Sequence, residues 1–177
     1  MDEIDAASST AASAAIDITP MRREDLDDVL RIERAAYQRP WARDVFEQEI
    51  DRLWAFVDVL RPRVEGGRQE PGGRHGRVVA FVNYWLVRDE VHVLNVATHP
   101  EERRRGYAAR LMEHVLAFAR ERSCRYVTLE VRRSNVGAMR LYRRFAFRPV
   151  GVRPNYYAED HEDAIVMLLE LDGEGAA

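Results

Sequence analysis

One segment constrains this chain more than any other. An apolar, β-branched run, Val91–Thr98, is ended by Pro100, and the residues HPEERRRGYAAR carry the chain into an amphipathic stretch of roughly Arg105–Arg122. Leu111, Val115, Leu116 and Phe118 supply much of the apolar face of that stretch. A strand that turns on a glycine into a long helix sets a helix N-terminus, with its free N–H donors, beside whatever lies at the strand end. Gly106 removes the Cβ that would hold a phosphate off the backbone, Ala108 keeps the next contact small, and Arg103, Arg104 and Arg105 add charge. No Gly-Lys-Ser/Thr follows, so this is not a Walker A loop. One glycine where three are needed also excludes the dinucleotide fingerprint. Taken alone, R-x-x-G-x-A is equally an ordinary helix start.

The remaining pattern surrounds this unit with short strands and helices. Ile16–Pro20 reads as a strand, Glu24–Tyr37 as a helix with acids in its first turn, and Ala42–Asp51 as a second helix after the Pro40-Trp41 break. Trp54–Leu60 and Val78–Val87 are strands, separated by the Gly- and Pro-rich EGGRQEPGGRHG. After the central helix come a strand at Tyr126–Val131, a helix at Asn135–Phe145 and two closing strands, Phe147–Val152 and Ala164–Leu171. The order predicts an α/β (α+β) domain with a mixed sheet and helices on both faces. At 177 residues there is room for one domain, over 16–172. Residues 1–15 read as an Ala/Ser-rich tail, 61–77 as a mobile loop and 173–177 as a C-terminal tail.

Charge narrows the function. All 27 basic residues are Arg, which removes Schiff-base lysine chemistry. Arg103 to Arg153 holds 14 Arg against three acids, whereas the rest is strongly acidic. The basic half suits a phosphate-bearing ligand or is a set of solvated arginines; the acidic half argues against a nucleic-acid partner. No apolar run reaches the ~18 residues of a membrane span, and the start lacks the basic residues of an export signal. The single cysteine, Cys124, reads as a buried small residue, and a cytoplasmic location is expected. The five histidines show no metal-ligand spacing, so no metal is expected.

Several spaced features then arrive in order: L-N-V-A-T-H-P, R-x-x-G-x-A, L-E-V-R-x-S-N, A-x-x-L-Y, R-x-N-Y-Y and E-D-A-x-x-M, with Pro40-Trp41 ahead of the second helix. Together they resemble the GNAT acetyltransferase superfamily, and more narrowly the RimI-type protein N-terminal alanine acetyltransferases. The resemblance implies a mostly antiparallel sheet whose central parallel strands, Val91–Thr98 and Tyr126–Val131, splay apart. Acetyl-CoA would lie in the gap, with its pantetheine along the backbone of Val96, Ala97 and Thr98 and its pyrophosphate on the turn of Arg103, Arg104, Arg105, Gly106, Tyr107 and Ala108. Asn135 would contact it from beyond the second strand. Glu130 would be the base and Tyr142 the acid, while Trp41, Tyr156, Tyr157 and the acids Glu159 to Asp163 would line the acceptor side. The implied partner is a protein or peptide N-terminus, ribosomal in the RimI-type enzymes.

From the residues alone, Glu130 is also a strand carboxylate available to an Arg, and Tyr142 a core aromatic. Energetics lean towards an α-amine. At pH 7, neutralising an amine of pKa ~8 costs about 1.4 kcal/mol, against about 4.6 kcal/mol for a lysine of pKa ~10.4. A small amine or lysine acceptor, or a non-catalytic acyl-CoA sensor, remain the alternatives. The chain also departs from the family pattern. Ala146-Phe147 stands where Gly-Phe is usual, at a cost of roughly 1 kcal/mol or more if that residue is left-handed.

Overall fold

A computed structural model describes residues 15–63 and 76–171. Most of the expected tails and of the Gly/Pro-rich loop lie outside these residues. Seven strands form one sheet in the order β1-β2-β3-β4-β5-β7-β6: β1 Ile16–Pro20, β2 Ala55–Pro62, β3 Ala80–Val87, β4 Glu90–Thr98, β5 Tyr126–Arg132, β6 Arg148–Tyr157 and β7 Glu162–Glu170. Every neighbouring pair is antiparallel except β4 and β5, as the family resemblance implies. Among the described residues four α-helices cover the sheet: α1 Leu26–Ala36, α2 Arg43–Asp51, α3 Tyr107–Glu121 and α4 Val136–Arg144.

The two faces bury separate cores. Leu26, Val29, Leu30 and Ile32 of α1 join Phe46 of α2 over Val57, Val59, Phe81 and Ala97. On the other face, Leu111, Met112, Val115 and Leu116 of α3 pack with Tyr142 of α4 over Val91, Val93, Val127, Leu129 and Val131. Burying each large side chain of this kind contributes about 1.5–3 kcal/mol. Cys124 is buried beside α3, and burial raises its thiol pKa.

What positions the site is a failure of pairing. β4 and β5 are bonded from Glu90↔Tyr126 only as far as Val93↔Leu129. On the other side of β4, Asn83 faces Asn95 while Tyr84 faces Val93, so Leu94 is an extra residue in the ladder. Such a bulge bends and twists the strand that carries it. Beyond it, Leu94–Thr98 and Glu130–Arg132 diverge with no strand between them. One element differs from the sequence reading. The penultimate strand does not stop at Val152 but runs to Tyr157, through an irregularity between Arg153 and Tyr157 where Asn155 takes a φ of 49°. Pro154 and Asn155 lie inside that irregularity, and pairing with β7 resumes at Tyr157 opposite Glu162.

Candidate active site

A cavity of about 700 Å³ occupies the opening between β4 and β5. Its wall comes from α1 and the α1–α2 loop (Glu33, Tyr37, Arg39, Trp41), β4 (Val93–Val96), β5 (Leu129–Arg132), the start of α4 (Asn135, Ala138, Tyr142) and the β6–β7 corner (Tyr157, Asp160, Glu162). Alternation along β5 separates the two residues of greatest chemical interest. Val127, Leu129 and Val131 join the α3–α4 core, so Glu130 projects to the opposite, α1–α2 face, while Tyr142 belongs to the α3–α4 side. A carboxylate and a phenol thus reach one cavity from opposite faces of the sheet.

Glu130 is held in place. Its Oε1 accepts from Arg153 Nε at 2.8 Å, and the Tyr156 hydroxyl donates to the same carboxylate. The pairing with an arginine expected of a strand carboxylate is therefore present, from the extended part of β6. Tyr142 is buried, and loss of hydration, reinforced by Tyr157, pushes its phenol up to about 12. Its position is fixed by the end of α4. Phe147 N–H donates to the Tyr142 carbonyl at 3.1 Å and Ala146 N–H to that of Arg143 at 3.0 Å, a Schellman cap with Ala146 left-handed at φ 64°. The accompanying apolar contact is Tyr142 against Phe147, ring centroids 6.0 Å apart.

Beyond β4 the turn has the character of an anion site. Arg104 and Gly106 both have positive φ, 64° and 81°, and a Cβ on Gly106 would meet nothing within 4 Å. The first turn of α3 carries no acid, unlike α1 with Asp27 and Asp28 or α2 with Asp44, and its N-cap Gly106 has no side chain to cap it. Its N–H groups are therefore free for an external acceptor. Arg105 pairs with Glu102 at 3.1 Å, while Arg103 and Arg104 have no ion-pair partner among the described residues. Thr98 Oγ1, at the end of β4, is buried without a hydrogen-bond partner. Tyr107 and Ala108 open α3; the Tyr107 ring lies in the core, so only its backbone can face an anion.

Of the other sequence-derived residues, Val96, Asn135, Trp41 and Tyr157 line the cavity, whereas Ala97, Thr98 and Tyr156 do not. Asn135 accepts from Ala138 N–H at 3.1 Å, so its oxygen caps α4 and its amide N–H₂ remains available. Trp41 also packs on Phe46. The acids of the β6–β7 corner are matched by arginines: Glu159 with Arg39, Asp160 and Glu162 with Arg132 at 2.8 and 2.9 Å, and Asp163 with Arg133 at 2.8 Å. The Ser134 hydroxyl and N–H, with Arg132, hold the Glu162 carboxyl near pKa 2, and the Arg132 guanidinium lies 3.8 Å over the Tyr157 ring.

Two cavity residues escape a sequence reading. Tyr37 donates its hydroxyl to the Val96 carbonyl at 2.8 Å, and nothing in its local sequence announces this. Glu33 left a faint signal, because Leu26, Val29, Leu30 and Glu33 share one helix face and only the last is charged. It is almost fully buried, accepting from Trp41 N–H at 3.0 Å and Asn95 Nδ2 at 2.9 Å; burial raises its pKa and those two bonds oppose the rise.

Comparison with known proteins agrees with this geometry. The profile of the acetyltransferase (GNAT) family matches residues 26–147. A Bacillus subtilis (strain 168) protein named for alanine N-acetylation of ribosomal protein bS18 is 31% identical over 153 residues, 86% of this chain and 93% of that one. The crystal structure of the ribosomal-protein-S18-alanine N-acetyltransferase from Escherichia coli superposes with a TM-score of 0.76 at 28% identity, covering 92% of this chain and 99% of that one. Arabidopsis thaliana NAA60, solved in complex with acetyl-CoA, shares the fold at 21% identity, with a TM-score of 0.75 over 90% of this chain and all of that one. With the profile spanning most of its length and its sheet opened between the two parallel strands, this chain belongs to the GNAT family of acetyl-CoA-dependent N-acetyltransferases.

Proposed function

We propose that this chain transfers the acetyl group of acetyl-CoA to the α-amine of a protein N-terminus, with an alanine-first ribosomal protein as the acceptor suggested by the names of its relatives. The observation that carries the reading is the cavity through the sheet, with Glu130 entering from one face and Tyr142 from the other.

Acetyl-CoA supplies the acyl group as an activated thioester. The residues present fit it. The unpaired edge of β4 past Val93 offers backbone to a pantetheine arm, and the α3 turn offers free N–H groups with Arg103 and Arg104 to a diphosphate. Asn135 adds an amide donor near the mouth of the gap.

In the reaction the acceptor nitrogen attacks the acyl carbon, the carbon–sulfur bond breaks, one proton leaves nitrogen and one reaches sulfur. Glu130, held by Arg153 and Tyr156, takes the nitrogen's proton directly or through one water. Tyr142 faces the departing sulfur. Complete transfer from a phenol near 12 to a thiolate whose conjugate acid has pKa ~8.5 is uphill by about 5 kcal/mol. Tyr142 therefore serves by hydrogen bonding the sulfur as charge develops, and the final proton arrives from solvent. Since the corner acids already have arginine partners, no unpaired carboxylate there stabilises a protonated acceptor. The acceptor must come neutral, which favours an α-amine over a lysine.

A peptide panel tests the reading. Alanine-first peptides with free N-termini should release CoA thiol and gain one acetyl group at the α-nitrogen by mass spectrometry, and N-terminally blocked copies should not. Turnover of blocked, lysine-containing peptides at a comparable rate would overturn it.

A further inference from the structure

Asn83 and Asn95 are directly opposed on β3 and β4, and both are buried. Each gives its amide N–H to a buried carboxylate beneath the helices: Asn83 to Glu49 Oε2 at 3.2 Å and Asn95 to Glu33 Oε2 at 2.9 Å. In both, Oδ1 is buried and has no hydrogen-bond partner. Buried polar atoms are overwhelmingly satisfied, so an orphaned acceptor points to a missing donor. The two differ in one respect: Asn95 lines the cavity and Asn83 does not.

Asn95 also lies at the place where the chemistry occurs. It follows the Leu94 bulge, two residues after the last pairing with β5, and Glu130 is one residue past that pairing on the facing strand. Asn95 contacts Glu33 of α1, so it faces the same side of the sheet as Glu130. Glu33 lines the same cavity and is bonded to N–H donors alone. Its carboxylate fixes which way the Asn95 amide points and polarises it, strengthening the unpartnered oxygen as an acceptor.

We infer that Asn95 Oδ1 receives an N–H of the acceptor amine, the proton-bearing partner that Glu130 does not take, and so aims the nitrogen lone pair at the acyl carbon. A neutral primary amine has two N–H groups and one lone pair. One N–H is relayed to Glu130, the second rests on Asn95, and the lone pair has a single remaining direction. Asn95 accepts a hydrogen bond and no proton, so the proton balance of the reaction is unchanged. The inference rests on the amine-acetylation reading and extends it: the site selects primary over secondary amines.

The test combines two variants with two peptides, one alanine-first and one N-methylalanine-first, the latter with one N–H fewer. Asn95→Leu should lower kcat/KM about tenfold for the alanine-first peptide, the loss of one hydrogen bond, while acetyl-CoA affinity by calorimetry is retained. The N-methyl peptide, poor with the parent enzyme, should lose much less, so that discrimination between the two peptides shrinks. Asn83→Leu removes the same kind of amide from the same layer and should lower Tm without altering that discrimination. If Asn95→Leu does not fold, Asn95→Ser keeps a hydroxyl donor for Glu33 while removing the amide oxygen, and should move kcat/KM in the same direction. Equal losses on both peptides, or the same change of discrimination in Asn83→Leu, would overturn the role of Asn95 and leave the amine-acetylation reading intact. A parent enzyme that acetylates neither peptide overturns both.

Discussion

Tyr142 sits where stability and chemistry make the same demand. Its ring closes the α4 cap against Phe147, and its burial keeps the phenol protonated up to about pH 12. The sign matters: burial disfavours phenolate, so ionisation moves to higher pH and the proton is present throughout the working range. The rate should then rise with pH as the acceptor amine, of pKa ~8, loses its proton, with no fall from Tyr142 below about pH 11. Tyr142→Phe should cut kcat by about 10²-fold or more and leave acetyl-CoA affinity unchanged by calorimetry, with the shape of the pH profile preserved. A basic limb near pH 9 or 10 that vanishes in the variant would refute this assignment. At this scale the cavity positions of Glu130 and Tyr142 were legible through motifs that match the family. Tyr37, Glu33 and Asn95 were not, since their partners lie 59, 8 and 62 positions away in the chain and only folding brings them together.

Elements were read well where apolar periodicity is strong and poorly where polar residues sit inside a strand. The central helix and the β3–β4 hairpin came within two residues of their sequence-derived limits. β6 did not, because its last five residues are exposed or half-buried and carry no alternation to read. The end of α4 bears out a more specific expectation. Ala146 does adopt the left-handed conformation that glycine usually supplies there. Ala146→Gly should therefore stabilise the protein by about 1 kcal/mol, seen as a rise of about 2–4 °C in Tm. The counter-effect is glycine's greater freedom in the unfolded chain, which is smaller than the strain relieved. An unchanged or lowered Tm would show that the cap bears no strain at Ala146. The splay of β4 from β5 also belongs to this scale, since one bulged residue, Leu94, separates the bonded half of the pair from the open half.

Across the whole molecule, charge is unevenly divided along the chain. The arginine excess between Arg103 and Arg153 covers the turn and α4, where Arg140, Arg143 and Arg144 are also exposed. The β6–β7 corner instead pairs its acids with arginines one for one or two for one. Affinity for acetyl-CoA should accordingly weaken several-fold between 0.05 and about 0.5 M salt, as the Debye length falls towards a few ångströms. KM for a neutral peptide acceptor should change little over the same range. Salt-independent acetyl-CoA binding would exclude Arg103 and Arg104 as contacts.

What the sequence alone determined was what local pattern can encode: the order of strands and helices, and the glycine corner with its arginines. These survive because periodicity, turn chemistry and motif spacing are written within a few residues. The tertiary structure decided how far two parallel strands stay bonded, which face of the sheet each chemical group enters from, and which buried amide is left with an unused oxygen. Those depend on register and on contacts between residues distant in the chain, and no local pattern carries them.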